Sequence, residues 1–367
     1  TPDLYDVNYL QGEDVFRVEC GENRCSVLYF DGAPDAVLQG DGAGGFRVIP
    51  GAAPLTTPKG LGIVALPLPG QLQPALFIAN DQVPNFLLLP NGDGTYRDEA
   101  RLRGLAVNYL GRPTACMGVA CGDLNDDGRR DLFVTNFEAE ANCLYLQRLD
   151  GYFEDAIQGT GLFQPGIPYV GWGTQWLDAD NDGDSDLVVA NGHVADFGQP
   201  GEQYRMPLQL FRNQAGQLAL QSPQQSGGVF AVERLGRALA VLDWNNDGAR
   251  DFVVGCNGSA AVLAENSSAV GPWLQVQLHG VRSARDASAA ALRLTVGERL
   301  KWQFVSAGDG YQCSNDRVVH FGLGAESTAL RLRIEWPSGA VQQLQDLPSS
   351  VTVQLIEGRD TVYVRPE

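Results

Sequence analysis

Asp178-Ala-Asp-Asn-Asp-Gly-Asp-Ser-Asp186 decides how the rest of this chain is read. Carboxylates stand at its first, third, fifth and ninth positions, as Asp178, Asp180, Asp182 and Asp186, and Gly183 holds the sixth. Glycine permits the sharp turn that gathers these side chains around one centre. Carboxylates packed so closely repel one another. A hard divalent cation relieves that repulsion, and oxygen donors on a flexible loop favour Ca²⁺ over Mg²⁺. For one such loop taken alone, a solvated acidic turn is the competing reading.

Two further copies weigh against it. Asp123, Asn125, Asp127 and Asp131 recur at the same spacing around Gly128, and Asp243, Asn245, Asp247 and Asp251 around Gly248. At the seventh position, Arg129, Asp184 and Ala249 are expected to ligate through the backbone carbonyl, so their identity is free to vary. An EF-hand needs a Glu at position twelve and a helix on each flank. Here that position is Val134, Val189 or Val254, inside apolar runs such as Leu132-Phe-Val and Leu187-Val-Val, so the loops are expected between β-strands. The spacing predicts about three bound Ca²⁺ ions.

The first ligand position also marks an internal repeat. A Gly falls five residues before it at Gly118 and Gly173, with Ala238 in the third copy, and an Asn thirteen after it at Asn136 and Asn191. The same frame reaches back to Gly62 and Asn80 around marker 67, where Pro67, Pro69, Gln71 and Ala75 stand at the ligand positions. That unit keeps its strands and has no metal site. Earlier still, Val27–Asp35 retains only Asp31 and Asp35, a degenerate site expected to be empty. Markers at 27, 67, 123, 178 and 243 give intervals suited to the blades of a β-propeller, each of four short strands. Turns at Gln39-Gly-Asp-Gly, Asn91-Gly-Asp-Gly, Leu149-Asp-Gly and Asn213-Gln-Ala-Gly are expected to join the last two strands of a unit. Residues 1–26 either supply a closing strand or are the remnant of a further blade.

After about residue 270 the acidic loops stop and strict alternation begins. Leu274, Val276 and Leu278 share one face, as do Leu292, Leu294 and Val296, then Leu330, Leu332, Ile334 and Trp336, then Val351, Val353 and Leu355. Period-two strands of this kind predict a small antiparallel β-sandwich. The expected division is a calcium-binding propeller over 1–270 and a sandwich over 271–367, all-β throughout. The polar faces carrying Arg331 and Arg333 either meet the acidic propeller or face solvent, and solvent is favoured.

A net charge of −18 argues against nucleic acid or an anionic membrane as partner, although three Ca²⁺ would bring it to −12. No apolar run is long enough to span a membrane, so no membrane insertion is expected. The chain starts at Thr1-Pro2, which fits a processed secreted protein or a trimmed one, extracellular or periplasmic. Of seven Cys, Cys20 and Cys25 are candidates for a hairpin disulfide, whereas Cys121, Cys143, Cys256 and Cys313 read as small buried residues in strands.

The repeats resemble the FG-GAP/VCBS type of integrin-like propellers, and the C-terminal part resembles the ASPIC/UnbV domain. That second likeness rests on Gly280-Val-Arg-Ser-Ala-Arg-Asp286, Gly308-Asp-Gly-Tyr-Gln-Cys-Ser-Asn-Asp316, His320-Phe-Gly-Leu-Gly324 and Trp336-Pro-Ser-Gly339, in order. Together they cover nearly the whole chain and resemble the cartilage acidic protein family. The resemblance implies a secreted calcium-binding propeller joined to a β-sandwich, with no established catalytic activity. Two departures stand out: the family's propellers often have seven blades against five markers here, and Ala287-Ser-Ala-Ala replaces the family's Gly-Ala.

Three functions compete. The first is a secreted binding, adhesion or structural module for an extracellular protein or glycan, with Ca²⁺ stabilising its loops. The second is an enzyme using the propeller channel, for which His193 and His320 are the acid–base candidates. Neither has a visible partner and no GxSxG, HExxH or P-loop motif is present, so no catalytic residue is assigned. The third is glycan binding through rim aromatics such as Trp172 and Trp176, which core packing would equally explain.

Overall fold

The computed structural model describes residues 3–17, 26–54, 58–71, 73–196, 198, 203–306, 308–328 and 330–365. Five small sheets come first. β1 (Leu4–Asp6), β2 (Ala36–Gly40) and β3 (Phe46–Val48) form one, and β4 (Gly60–Leu66), β5 (Ala75–Asn80), β6 (Phe86–Pro90) and β7 (Tyr96–Asp98) the next. β8 (Val119–Gly122), β9 (Asp131–Val134), β10 (Cys143–Gln147) and β11 (Phe153–Asp155) make the third sheet. The fourth contains β12 (Gly171–Leu177), β13 (Asp186–Asn191), β14 (Gln209–Gln214) and β15 (Gln217–Leu220). The fifth stops at three strands, β16 (Gly236–Leu242), β17 (Asp251–Cys256) and β18 (Val262–Ala264). Within each, strands adjacent in sequence pair antiparallel, and the four Gly-rich turns join the strands expected of them. The fold is all-β and propeller-like.

The repeated residues have physical reasons. The first strands β4, β8, β12 and β16 pack against one another in chain order. A Cβ on Gly62 would lie 2.3 Å from Met117 O of the next sheet, and one on Gly118 would lie 2.0 Å from Trp172 O. A Cβ on Gly173 would meet Arg237 O at 2.6 Å, so adjacent strands touch backbone to backbone at these points. Ala238 takes the place in the fifth sheet, after which the described strands belong to the C-terminal sheets. The marker asparagines are buried staples: Nδ2 of Asn80, Asn136 and Asn191 donates to Pro84 O, Ala141 O and Pro207 O, closing the turn into the third strand. Buried backbone carbonyls need such partners.

At the N-terminus, β1 pairs with β2 through Leu4↔Leu38, so this segment supplies the first strand of the first sheet. Residues 7–35 then intervene where the later sheets have a short loop, and Val27–Tyr29 form a 3₁₀ turn. Tyr5 and Val7 pack on Ile78 and Leu88, seating this sheet on the second.

The C-terminal strands are β19 (Trp273–His279), β20 (Ala291–Val296), β21 (Arg299–Phe304), β22 (Val318–Gly322), β23 (Leu330–Glu335), β24 (Val341–Leu347), β25 (Val351–Ile356) and β26 (Tyr363–Val364). They build two four-stranded sheets, ordered β22-β19-β25-β26 and β21-β20-β23-β24. All the apolar faces expected from alternation point into one core between them. One pairing departs from the antiparallel expectation: β19 and β25 run parallel, Leu274 opposite Val351. The whole second sheet lies between them in sequence, supplying the crossover that parallel neighbours require.

Cys121, Cys143 and Cys256 lie on β8, β10 and β17, as expected. Cys313 does not lie in a strand; its loop position lets Sγ donate to Leu239 O at 3.0 Å. Cys20 and Cys25 fall outside the described residues.

Candidate metal centre

The three acidic loops join β8 to β9, β12 to β13 and β16 to β17, the first and second strands of three successive sheets. Their backbones agree residue by residue. The fourth residue is left-handed in each (Asp126 φ 58°, Asn181 59°, Asn246 59°), and so is the sixth (Gly128 81°, Gly183 92°, Gly248 85°). Asn and Asp tolerate that region better than other non-glycine residues, a signal that was open to reading in the sequence.

Their hydrogen bonds agree as well. Oδ2 of the first Asp accepts from the sixth-residue N–H in all three, at 2.7 Å for Asp123, 2.8 Å for Asp178 and 3.0 Å for Asp243. The ninth Asp accepts at Oδ2 from the second residue of its own loop, Leu124, Ala179 or Trp244. Its Oδ1 accepts from the third strand or just beyond, at Gln147, Asn213 or Asn266. The fifth Asp accepts from the seventh N–H, at Arg129, Asp184 or Ala249. A solvated acidic turn has no reason to repeat this frame three times.

Two oxygens are left over. Asp178 Oδ1 and Asp243 Oδ1 are buried and lack any hydrogen-bond partner among the described residues. One ligand oxygen each from Asp178, Asp180 and Asp186 lies within 4.8 Å of the others, and no second group so close is found among the described residues. Burial, then the charges of Asp182 and Asp186, pushes the Asp178 carboxyl up to about 8. Burial likewise raises Asp186 and Asp131 to about 7 and Asp123 to about 6, against the backbone N–H groups they accept from. Carboxylates in this state have too little counter-charge to offset their burial. A cation bound by oxygen donors supplies it, so the residues present fit Ca²⁺.

Arg212, on β14, is one partner that the loop sequence did not disclose. Its guanidinium pairs with Asp180, its Nε lies 3.1 Å from Asp186 Oδ2, and it reaches within 4.0 Å of Asp182. The homologous neighbours of the ninth-position partners are Leu146 and Glu265, so neither sister loop receives a cation from its third strand, although Arg129 of loop 123–131 pairs with its own Asp127. With Arg212 counted, the four ligand carboxylates of 178–186 carry the same formal charge as the three of loop 243–251, whereas Arg129 leaves loop 123–131 less negative.

All three loops are covered by the C-terminal sandwich. Lys301 of β21, 4% exposed, donates to Asp126 Oδ2 at 2.5 Å and to Asp184 Oδ1 at 3.1 Å, bridging two loops. His320 Nε2 lies 2.7 Å from Asn181 Oδ1, and Gln275 Nε2 donates to Asp243 Oδ2 at 2.7 Å. A Cβ on Gly128 would lie 2.9 Å from Trp302, and one on Gly248 1.9 Å from Trp273. The loop glycines therefore leave room for indole rings as well as making the turn. From the other side, a Cβ on Gly322 would lie 1.9 Å from Asp178 Oδ2. Segment 308–316 crosses the first strands: Val119 N donates to Gly310 O at 3.0 Å, Cys121 N to Asp309 Oδ2 at 3.2 Å and Val241 N to Asn315 Oδ1 at 2.9 Å.

The remaining candidates fare differently. His320 is buried, stacks on Trp273 and is held well below its usual pKa by burial and by the Arg250 charge, which leaves it a neutral interface residue. His193 is buried too, with Nδ1 2.9 Å from Ala195 O and Nε2 3.4 Å from Glu138 Oε1. Trp172 and Trp176 are not rim residues: both lie on β12, Trp172 donating to Gly192 O at 2.8 Å and Trp176 packed edge-on against Phe133. Asp35 of the degenerate unit is occupied by Tyr5 OH and Asn8 N at 3.0 and 2.8 Å. Arg331 is exposed and Arg333 pairs with Glu335, whereas Lys301 and Arg299 of β21 meet the acidic loops.

Residues 280–362 match the family described as ASPIC and UnbV, and residues 123–189 match the FG-GAP-like repeat. The chain is 28% identical over 291 residues to cartilage acidic protein 1 of Xenopus tropicalis, covering 77% of this chain and 42% of that protein. Against the Homo sapiens protein of the same name it is 25% identical over 285 residues, covering 76% and 41%. The chain is homologous to cartilage acidic protein 1. It spans about two-fifths of the length of these relatives. Of the four ASPIC/UnbV motifs, 308–316 and 320–324 face the propeller loops and first strands. The other two meet at Glu357: its carboxylate accepts from Val281 N, Arg282 N and Ser283 N at 2.7, 2.6 and 2.8 Å, and from Ser338 Oγ. Glu357 is a structural anchor of the domain that alternation alone could not reveal. No helix among the described residues is long and apolar enough to cross a membrane.

Proposed function

We propose that this homologue of cartilage acidic protein 1 is a secreted, calcium-stabilised binding module. The reading is carried by the unpartnered, buried Oδ1 atoms of Asp178 and Asp243 inside loops that share one hydrogen-bond frame. Asp178, Asp180, Asp182 and Asp186 with the Asp184 carbonyl would hold one ion. Asp123, Asn125, Asp127 and Asp131 with the Arg129 carbonyl would hold a second. Asp243, Asn245, Asp247 and Asp251 with the Ala249 carbonyl would hold a third. The ion supplies positive charge to buried carboxylates and ties the first and second strands of a blade together; no reaction is assigned to it. The partner is an extracellular protein or glycan, and the net charge of −18 disfavours nucleic acid.

Differential scanning calorimetry tests the calcium reading. A site filled to 100 times its Kd adds about 2.7 kcal/mol if only the folded state binds. EGTA should lower Tm, and Ca²⁺ should restore it further than equal Mg²⁺. An unchanged Tm after exhaustive chelation sinks the reading.

A further inference from the structure

We propose that the three loops together form a calcium-dependent seat for the chain's own C-terminal sandwich, so that Ca²⁺ controls whether that sandwich stays docked. The inference rests on the calcium reading above and goes beyond it. Stabilising a blade needs a metal at each loop but does not require the loops to touch anything else. Here the sandwich touches the fourth to eighth residues of the loops and, at Asp178 and Asp243, the first ligand itself. Asp126 and Asp184 hold Lys301, and Asn181 meets His320 while its Nδ2 donates to Gly248 O and Gly271 O, both at 3.1 Å. Arg250, the eighth residue of the third loop, pairs with Asp316 at 3.1 Å.

Every one of these contacts depends on the left-handed fourth and sixth residues being held in place. Without a cation, mutually repelling carboxylates favour opening of the loop, and the seat is lost with it. The sandwich does not need the loops to fold: its apolar core is complete between its own two sheets. Losing calcium should therefore free an intact domain rather than unfold one. Gly322 shows how closely seat and site are joined, since the sandwich backbone lies where any side chain would strike Asp178.

Hydrogen exchange read by mass spectrometry on the full chain, in Ca²⁺ and in EGTA, tests this alongside calorimetric Ca²⁺ titration. With Ca²⁺ binding established, amides of segment 308–316 should exchange at least about tenfold faster in EGTA while β20 and β23 keep their protection. Equal exchange of 308–316 in both conditions overturns the inference and leaves the calcium reading intact. So does a uniform rise across all sandwich strands, which is unfolding and not release. Absence of Ca²⁺ binding in the titration removes the calcium reading and this inference together. Linkage supplies a second arm. His320→Leu alters no ligand, yet if docking and binding are coupled it should weaken Ca²⁺ affinity about fivefold or more. Unchanged affinity in a folded His320→Leu protein overturns the coupling.

Discussion

Arg212 Nε lies 3.1 Å from Asp186 Oδ2, which brings a cation from the third strand of a blade into the loop between its first two. Arg212 and a metal ion answer the same need, so they act in opposition. Arg212→Gln should tighten Ca²⁺ binding to loop 178–186 by about tenfold, because a repelling charge leaves the site. In EGTA the same change should lower Tm, because the carboxylates then lose their remaining counter-charge. Opposite signs in the two conditions are the expected calorimetric result, and a loss of stability in both would show Arg212 to be a simple structural ion-pair partner.

Acidity should act on the calcium-free protein in an unusual direction. Asp178 is raised to about 8 and Asp186 and Asp131 to about 7, by burial first, against a value near 3.9 in an unfolded chain. Groups raised in the folded state bind more protons there, so their contribution is present below about pH 4 and is lost as pH climbs through 7 and 8. In EGTA, Tm should therefore be higher at pH 5.5 than at pH 8. With saturating Ca²⁺ the carboxylates must be ionised to ligate, and the trend should flatten or reverse. Identical pH profiles with and without Ca²⁺ would contradict both halves.

Glu357 offers a test confined to the sandwich. Burial opposes its ionisation, but the N–H groups of residues 281–283 and the Ser338 hydroxyl outweigh that and hold its pKa at about 2. Glu357→Gln removes the charge and turns an amide NH₂ towards N–H donors. A cost of roughly 1–3 kcal/mol is expected, the range for a lost charge-assisted hydrogen bond. Calcium affinity should stay unchanged, since no part of this cluster touches the acidic loops. A fall in Ca²⁺ affinity would mean that the two motif pairs are energetically linked.

Features written in short range were legible in the sequence. The ligand spacing, the Asp-Gly turns and the alternating faces of β19, β20, β23 and β25 all depend on residues within about a dozen positions of one another, and the blade period is the recurrence of such a short pattern. What escaped was made by distant segments. Arg212 sits 26 residues beyond Asp186, and Lys301 joins two loops from another domain. Glu357 joins the Ser338 turn to a motif more than 70 residues away. The parallel β19–β25 pairing is of the same kind: alternation assigns faces but says nothing of which strand lies alongside.

Asp180 allows calcium ligation and charge balance to be separated. Ligand count alone makes 178–186 the strongest of the three sites, because it has four carboxylates where each sister has three and an Asn. Arg212 cancels that advantage over 243–251, so these two sites should bind with similar affinity, and 123–131, where Arg129 pairs with Asp127, should bind more weakly. Asp180→Asn keeps a carbonyl oxygen at the third position but leaves Arg212 in place, and should weaken this site by about tenfold. The double variant Asp180→Asn with Arg212→Gln has the sister ligand set and no opposing cation, so most of the lost affinity should return. Non-additivity of that size is expected for partners in direct contact. Asp180→Ala removes the oxygen altogether and should lower Tm in millimolar Ca²⁺ by an amount of the order of the 2.7 kcal/mol of one well-filled site. A solvated acidic turn predicts no such loss, since Asp180→Ala then gives up only a partly exposed ion pair with Arg212 and relieves repulsion among the remaining carboxylates. If Asp180→Ala melts at or above wild type in Ca²⁺, the loop holds no structural ion.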